Sequence, residues 1–353
     1  MVAFINGLSC ISHHHTLTDD FFFEETDLLP DSNFLFATEP AYKDYVPSAY
    51  LRRASHILKM GISAGRMCLK EADSEQVDAI LVGTGMGCFE DTDKFLRAIS
   101  DNAEEMLAPT AFIQSTHNTV AGQLALLTGC QGYNFTYVQQ NLSFEYALLD
   151  ALLLLKKGEA EDILLGGLDE LTPSLCELFE RAGHIKQRAT CKIPLWESTS
   201  TGYVAGEGAA FFRLGNKQTA ASSAKILGLA ILPAIQKSSE LLDRTLLFLS
   251  GLGLKKEELS LVLSGANGDV VLDSNLKGFN EGIGAPVAYF KQLCGEYFTA
   301  SSFALWLAAS SLKKQKFPSG VVQGGLGTQP LKHILIVNHF RDHRYALICV
   351  SSC

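Results

Sequence analysis

The stretch GYVAGEGA, residues 202–209, is the most distinctive local feature of this 353-residue chain. Its three glycines surround one acidic residue, Glu207, and the stretch runs directly into the apolar segment AFFRL at 210–214. Glycine is used where the backbone takes unusual dihedral angles or approaches another segment closely. The pattern therefore predicts a constrained turn before a buried strand, with the Glu207 carboxylate held by backbone N–H groups.

Strand-like and helix-like segments alternate on both sides of this turn, which is typical of an α/β fold. The segment DAILVG at 78–83 predicts a buried strand that ends in a glycine turn. The segment LSFEYALLDALLLLKK at 142–157 predicts a helix that is apolar on nearly every side, and such a helix must be enclosed on more than one face. Gly158 is the residue expected to end this helix. Further predicted elements are strands at 2–6, 133–139, 162–166, 208–214, 225–232, 259–264, 333–338 and 345–350, a loop at Gly166-Gly167, and helices at 49–72, 117–128, 239–251 and 300–314.

The chain is long enough for two domains or for one large, internally repeated fold. The stretch GNKQTAASSA at 215–224 consists of small and polar residues and is the best candidate boundary. A second series of strands and helices begins at residue 225. The pattern therefore favours two halves of similar construction.

The composition disfavours two classes of partner. The 29 basic and 38 acidic residues give a net charge of −9, and binding to a phosphate backbone needs a concentrated positive surface instead. The longest apolar runs, at 147–155 and 302–312, are far shorter than the roughly 20 residues that cross a membrane. We therefore expect neither a nucleic-acid partner nor a membrane partner.

Cysteine usage predicts a reducing compartment. The nine cysteines are scattered without any C-x-x-C pair, which favours neither a disulfide framework nor a zinc site. The N-terminus lacks the basic region of a secretory signal, so we expect a cytoplasmic protein.

The chain also lacks the usual cofactor motifs. The run His13-His14-His15 is predicted to be a solvated loop rather than a metal site. The turn GTGMGC at 83–88 has Cys88 where a dinucleotide fingerprint needs its third glycine. We therefore expect no metal and no cofactor.

Taken in order, several segments resemble those of the β-ketoacyl synthases, the condensing enzymes of the thiolase superfamily. This resemblance implies a thiolase-like layered αβαβα fold made of two similar halves. We expect the halves at residues 1–216 and 223–353, the second one shortened. Gly206, Glu207, Gly208 and Lys291 are retained from the family's motifs. The segments that carry the resemblance are YLRRASHILKMGISAGR (50–66), AILVGTGMG (79–87), NTVAGQ (118–123), DILLGGLDE (162–170) and GYVAGEGA (202–209).

The family's nucleophile is a cysteine at the junction between a strand and a helix, where it carries the acyl chain. Counting back from Gly158 without gaps puts Asn141 at the cysteine position of this chain. Allowing a slip of one residue puts Gln140 there instead. Neither amide side chain can carry a thioester.

The family's two histidines and its closing glycine-rich loop are altered as well. Asn267, or Ala266, stands at the first histidine position. Glu296 stands at the second, five residues after the retained Lys291. After Asn338 the chain reads HFRDHR instead of a glycine-rich loop. Together with the missing cysteine, these changes indicate that condensation chemistry has been lost.

A ketosynthase homologue without its cysteine resembles the chain length factors, which pair with an active ketosynthase. The resemblance implies a heterodimer with such a subunit, or a homodimer in isolation, and indirect contact with an acyl carrier protein. Because its second half is short, the chain also resembles the compact ketosynthase-like proteins of bacterial aryl-polyene and flexirubin-type pigment pathways. The residues expected at the interface and near the partner's acyl tunnel are Phe112, Gln114, Phe135, Tyr137 and Gln140.

Two alternatives keep an enzymatic function. In one, the protein decarboxylates malonyl carrier protein, an activity that accompanies Gln at the cysteine position in this family. In the other, condensation uses a displaced thiol, such as Cys294 or Cys130.

Overall fold

Two sets of five strands form the framework of the chain. The computed structural model describes residues 2–14, 16, 32–72, 76–105, 107–187, 190–339, 341 and 343–353. The first set is β1 (Ala3–Ile11), β3 (Ala79–Gly83), β4 (Tyr133–Tyr137), β5 (Asp162–Asp169) and β7 (Gly208–Gly215). The second set is β8 (Ala224–Ala234), β9 (Leu261–Ser264), β10 (Val287–Tyr289), β12 (His333–His339) and β13 (Arg344–Ser351). The short strands are β2 (Phe34–Leu35), β6 (Ala205–Gly206) and β11 (Val322–Gln323).

The two sets have the same strand order and the same directions. The first set runs β4-β3-β5-β7-β1 and the second runs β10-β9-β12-β13-β8. In each set the first three strands are parallel, and the last two pair antiparallel. A short antiparallel pairing of β1 with β8 joins the sets, and β11 extends the second. The predicted pair of similar halves is therefore confirmed, whereas the boundaries at 216 and 223 stay a prediction.

The helices lie in three layers around these half-sheets. They are α1 (Ser48–Leu51), α2 (His56–Glu71), α3 (Phe89–Asp101), α4 (Pro109–Gln114), α5 (Thr119–Thr128), α6 (Ser143–Lys157), α7 (Pro173–Arg181), α8 (Ser238–Gly251), α9 (Ser274–Ile283), α10 (Lys291–Cys294) and α11 (Ala300–Lys314). In one core cluster, α6 and α11 pack against both half-sheets, through side chains such as Leu165 of the first and Ile336 of the second. The outer layers are α2 and α5 on the first half-sheet and α8 and α9 on the second. This order of layers confirms the thiolase-like αβαβα fold class.

The two central helices differ in how fully they are covered. Every residue of α11 from Ala300 to Leu312 is buried, because its many alanines and serines let both half-sheets approach. Helix α6 ends at Gly158 in a left-handed conformation, as predicted. Its apolar surface is only partly covered, however, and Leu153 is exposed. The prediction that α6 is enclosed on more than one face is confirmed, because the helix packs against both half-sheets, while its Leu153 side is open.

Two local predictions are wrong. The predicted helix at 49–72 is two helices, α1 and α2, separated at residues 52–55. The predicted loop at Gly166-Gly167 is instead the middle of β5, which continues to Asp169. These glycines are required by packing, since a Cβ on Gly167 would lie 2.6 Å from the Cβ of Ser302 on α11. Within the residues described, no helix is long and apolar enough to cross a membrane.

Candidate functional site

The glycine-rich turn holds Glu207 as predicted. Glu207 is buried, and its carboxylate accepts hydrogen bonds from the backbone N–H groups of Ala37 (2.9 Å) and Leu171 (2.7 Å). The neighbouring Gly206 passes so close to another segment that a Cβ would lie 1.9 Å from the carbonyl oxygen of Cys294. The turn therefore joins three distant segments of the chain and brings Gly295 and Glu296 to the same place.

His56 completes the surroundings of Glu207. Its Nε2 lies 3.1 Å from Glu207 Oε1, and its Nδ1 lies 3.2 Å from Glu39 Oε1. Burial acts to lower the pKa of His56, but the hydrogen bond and charge of Glu207 outweigh it and raise this pKa to about 9. A protonated His56 therefore helps to neutralise the buried carboxylate, which is a structural role.

The residues at the two predicted histidine positions lie in contact with each other. Asn267 Nδ2 donates a 2.7 Å hydrogen bond to Glu296 Oε2. Lys291 Nζ approaches the same oxygen at 2.8 Å and forms an ion pair that is almost completely buried. Both donors, Asn267 and Lys291, therefore bind the same carboxylate oxygen of Glu296.

The contacts of Glu296 belong to a closed ring. Lys291 Nζ also donates to the carbonyl oxygen of His339 at 3.2 Å, and His339 Nε2 donates to Asp273 Oδ1 at 3.0 Å. Asp273 Oδ1 accepts the backbone N–H of Asn267 at 3.1 Å, which returns the ring to Asn267. We call these five residues the Glu296 ring. It ties together the loop after β9, the loop after α10 and the end of β12, where the family's closing loop was expected.

The predicted nucleophile position lies at the junction of β4 and α6. A short 3-10 turn, Gln140–Leu142, connects the two elements. Gln140 has a φ of 54°, an unusual value for a residue other than glycine and a sign of local strain. Asn141 is buried, and neither atom of its side-chain amide has a hydrogen-bond partner among the described residues. Both candidates for the cysteine position are therefore amides, and the strained conformation is at Gln140.

Buried carboxylates surround this junction. In the first turn of α6, Glu145 is fully buried and accepts a 3.3 Å hydrogen bond from Asn338 Nδ2 at the end of β12. Burial raises the pKa of Glu145 to about 7. Asp169 accepts from the backbone N–H groups of Gly85 (2.7 Å) and Thr299 (2.9 Å), and burial raises its pKa to about 6. The N–H groups of the glycine turn at 83–87 thus bind a carboxylate of the chain itself.

An apolar surface lies beside the junction, along the edge of β4 that pairs with no strand among the described residues. This strand pairs with β3 and ends the first half-sheet. The rings of Tyr133, Phe135 and Tyr137 lie in a row on one face of β4, with the first pair stacked and the second pair tilted. The Tyr137 hydroxyl is tied to Asp150 Oδ2 of α6 at 2.8 Å. We call this area the edge surface; its exposed large apolar residues are Phe112, Ile113, Leu126, Tyr133, Phe135, Val138 and Leu153.

A family model described as "Beta-ketoacyl synthase, N-terminal domain" matches residues 32–222. The chain belongs to the β-ketoacyl synthase family. A curated relative, 3-oxoacyl-[acyl-carrier-protein] synthase I, chloroplastic, of Arabidopsis thaliana, is 25% identical over 179 residues. That match spans 47% of this chain and 38% of the length of the relative.

Solved structures cover almost the whole chain. The ishigamide ketosynthase/chain length factor matches with a TM-score of 0.81 at 16% identity, over 100% of this chain and 99% of its own. A β-ketoacyl synthase from Burkholderia phymatum STM815 matches with a TM-score of 0.82 at 15% identity, over 99% of each chain. A complex described as AntDE:AntF, a type II polyketide synthase acyl-carrier protein with its ketosynthase bound to the hexaketide, matches with a TM-score of 0.77 at 18% identity, over 100% and 99%. At these identities the likeness shows the fold.

In this family member, the residues at the two histidine positions, Asn267 and Glu296, lie together with the retained Lys291. The two candidates for the cysteine position, Gln140 and Asn141, lie apart from them at the junction.

Four of the five predicted interface residues lie on or beside the edge surface, namely Phe112, Phe135, Tyr137 and Gln140. Gln114 is half-buried, and its Nε2 donates to the Arg53 carbonyl oxygen at 3.1 Å. Other exposed apolar residues of the edge surface, which the sequence did not single out, are Ile113, Leu126, Tyr133, Val138 and Leu153. The alternating aromatic residues of YNFTY (133–137) indicate that Tyr133 lies on the same face as Phe135. The pattern LALLT (124–128) does not show which leucine is exposed.

The two thiols proposed as displaced nucleophiles are badly placed. Cys294 is fully buried in the central core, and burial raises the pKa of its thiol well above the usual range. A reactive cysteine needs access and a thiolate, and Cys294 has neither. Cys130 is half-buried but precedes β4, at the opposite end of that strand from Gln140. The geometry therefore gives no support to condensation through either thiol.

Proposed function

We propose that this chain is a non-catalytic, ketosynthase-like subunit of the chain length factor type. It pairs with an active β-ketoacyl-acyl-carrier-protein synthase during elongation of a polyketide or fatty-acid-like chain. The observation that carries the proposal is the Glu296 ring, in which Lys291 and Asn267 direct hydrogen bonds to Glu296.

The ring argues against condensation and against decarboxylation. Loss of CO₂ from a malonyl thioester leaves an enolate, which needs hydrogen-bond donors aimed at its oxygen. Here the amide of Asn267 and the ammonium of Lys291 meet a carboxylate instead. A buried carboxylate at this point repels a developing negative charge. Gln140 and Asn141 also supply no nucleophile. The chain therefore lacks both the nucleophile and the free hydrogen-bond donors that condensation needs.

The edge surface supports a partner subunit. An edge strand exposes unpaired N–H and C=O groups that can pair with a strand of another chain. Clustered exposed aromatic and aliphatic residues beside such an edge are typical of a protein interface. We infer that the partner ketosynthase covers β4 and the open side of α6. An acyl carrier protein then contacts the complex through the active subunit. The complex is cytoplasmic, and the cysteines of this chain stay reduced there.

The expected pathway is that of an aryl-polyene or flexirubin-type pigment. This part of the proposal rests on the resemblance alone, which implies a shortened second half. The product and its length follow from the partner's tunnel, near which Phe135 and Gln140 are expected.

Co-expression with a cysteine-bearing ketosynthase from the same organism tests the proposal. We expect a 1:1 complex on affinity purification and light scattering, and chain elongation that needs both subunits. Phe135→Asp on the edge surface should abolish the complex. Leu247→Asp is the matched control, because Leu247 is 67% exposed on α8, in the outer layer of the other half. A chain that stays monomeric beside this ketosynthase, or that condenses malonyl and acyl carrier proteins alone, overturns the proposal.

A further inference from the structure

A groove opens on the first half of the chain, lined by residues of α1, α2, α4, α5 and the segment that joins α1 to α2. It has a volume of about 350 Å³. Four apolar residues of its lining are half-buried or exposed, and so can be reached from solvent; they are Ala49, Tyr50, Ala54 and Ile113. We call this site the Arg53 groove, after an arginine that lines it. The proposed function above does not use it.

The groove is continuous with the edge surface. Ile113 of α4 is 63% exposed and belongs to both, and its neighbour Phe112 is 57% exposed. The next residue, Gln114, donates from Nε2 to the carbonyl oxygen of Arg53 at 3.1 Å, which ties α4 to the segment before α2. A subunit that covers the edge surface at α4 therefore also reaches the mouth of the groove.

An uncompensated positive charge lies in the groove. Arg53 is exposed, and it is the only charged residue among those described that line the groove. Its guanidinium has no hydrogen-bond or ion-pair partner within the described part of the chain. The polar residues beside it, such as Thr110 and Gln114, are neutral. Because a guanidinium binds a carboxylate through two parallel hydrogen bonds, an acidic group fits this site best.

We propose that the Arg53 groove receives a segment of the partner ketosynthase in which an Asp or a Glu stands beside an apolar residue. This inference rests on the proposed function, since the partner is the subunit that covers the edge surface. The carboxylate pairs with Arg53, and the apolar side chain packs against Tyr50 and Ile113. An ion pair in open solvent contributes little, but one that the two subunits cover discriminates between partners. The groove therefore selects a ketosynthase that carries an acid at this place.

Two adjacent arginines provide the variant and its control. Arg52 is exposed like Arg53, but it does not line the groove. Arg53→Glu and Arg52→Glu change the net charge of the full chain equally, so their long-range electrostatic effects match. By biolayer interferometry, we expect Arg53→Glu to weaken binding of the purified cysteine-bearing ketosynthase about tenfold or more, and Arg52→Glu to change it by less than about threefold. Circular dichroism checks that both variants are folded.

A cross-link identifies the occupant of the groove. Arg53→Lys and Arg52→Lys each supply an amine, which a zero-length carbodiimide joins to a carboxylate in direct contact. Mass spectrometry of the cross-linked complex should find position 53, and not position 52, joined to an Asp or a Glu of the ketosynthase. A link from position 53 to a second copy of this chain, no link, or equal loss of affinity in the two Glu variants overturns the inference, while a 1:1 complex leaves the proposed function standing. If no complex forms at all, both are overturned.

Discussion

Asn267 Nδ2 donates to Glu296 Oε2 across 2.7 Å, and the two residues are 29 positions apart in the chain. The resemblance to the ketosynthases assigns these two positions to the catalytic histidines. In the structure the two side chains satisfy each other, so the site is stabilised as a closed network rather than held open for a substrate.

Breaking the ion pair in this network should destabilise the fold. Glu296→Gln leaves the Lys291 ammonium buried without its counter-charge, and such a change costs about 3–5 kcal/mol of unfolding free energy. Lys291→Met combined with Glu296→Gln should cost less than the sum of the two single changes. Urea unfolding of the three variants measures the coupling, and strictly additive losses would contradict the assignment of a pair.

Much of the fold could be predicted because its signals are local. The run of small and apolar residues at 300–314 and the lysine-glycine end at 156–158 mark α11 and the end of α6 directly. The loop predicted at Gly166 and Gly167 is wrong, because the sequence alone does not distinguish a glycine that lets a helix approach a strand from a glycine in a loop. The Glu296 ring could not be predicted, since it depends on Asp273, which is 66 positions from His339.

Stability should fall as the pH rises from about 5 to 9. Burial raises the folded-state pKa of Glu145 and of Glu170 from 4.5 to about 7, so the folded state holds these protons while the unfolded state releases them. The pKa of His56 is raised from 6.5 to about 9, and its stabilising contribution is complete below pH 6.5 and lost through pH 9. In both cases the folded state binds more protons, so the unfolding free energy decreases with rising pH. Chemical unfolding at several pH values measures this slope.

Glu145→Gln should remove part of that slope. The amide keeps the shape of the side chain but does not titrate, so the loss of stability between pH 4.5 and 7 becomes shallower. Glu105→Gln is the control, because Glu105 is exposed. If the slope of Glu145→Gln equals that of the unchanged chain, the buried carboxyl does not hold a proton as argued.

Restoring a thiol should not restore condensation. Gln140→Cys and Asn141→Cys each place a nucleophile at the junction, but Glu296 still accepts from the donors that an enolate requires. We expect mass spectrometry with malonyl and acyl carrier proteins to detect no condensed product from either variant. Condensed product from a single cysteine variant would show that the Glu296 ring does not block the chemistry.

A methyl group at Gly206 should prevent folding. A Cβ there would lie 1.9 Å from the Cys294 carbonyl oxygen and 3.0 Å from the Gly295 Cα, and neither backbone atom can move without displacing Glu296. We expect Gly206→Ala to lose more than about 3 kcal/mol of unfolding free energy or to be recovered only as aggregate. Gly122→Ala is the matched control, because a Cβ on that helical glycine meets one side-chain oxygen at 3.4 Å, and alanine favours a helix. Equal stability of the two variants would mean that the approach of Gly206 to Cys294 does not hold the segment that carries Glu296 in place.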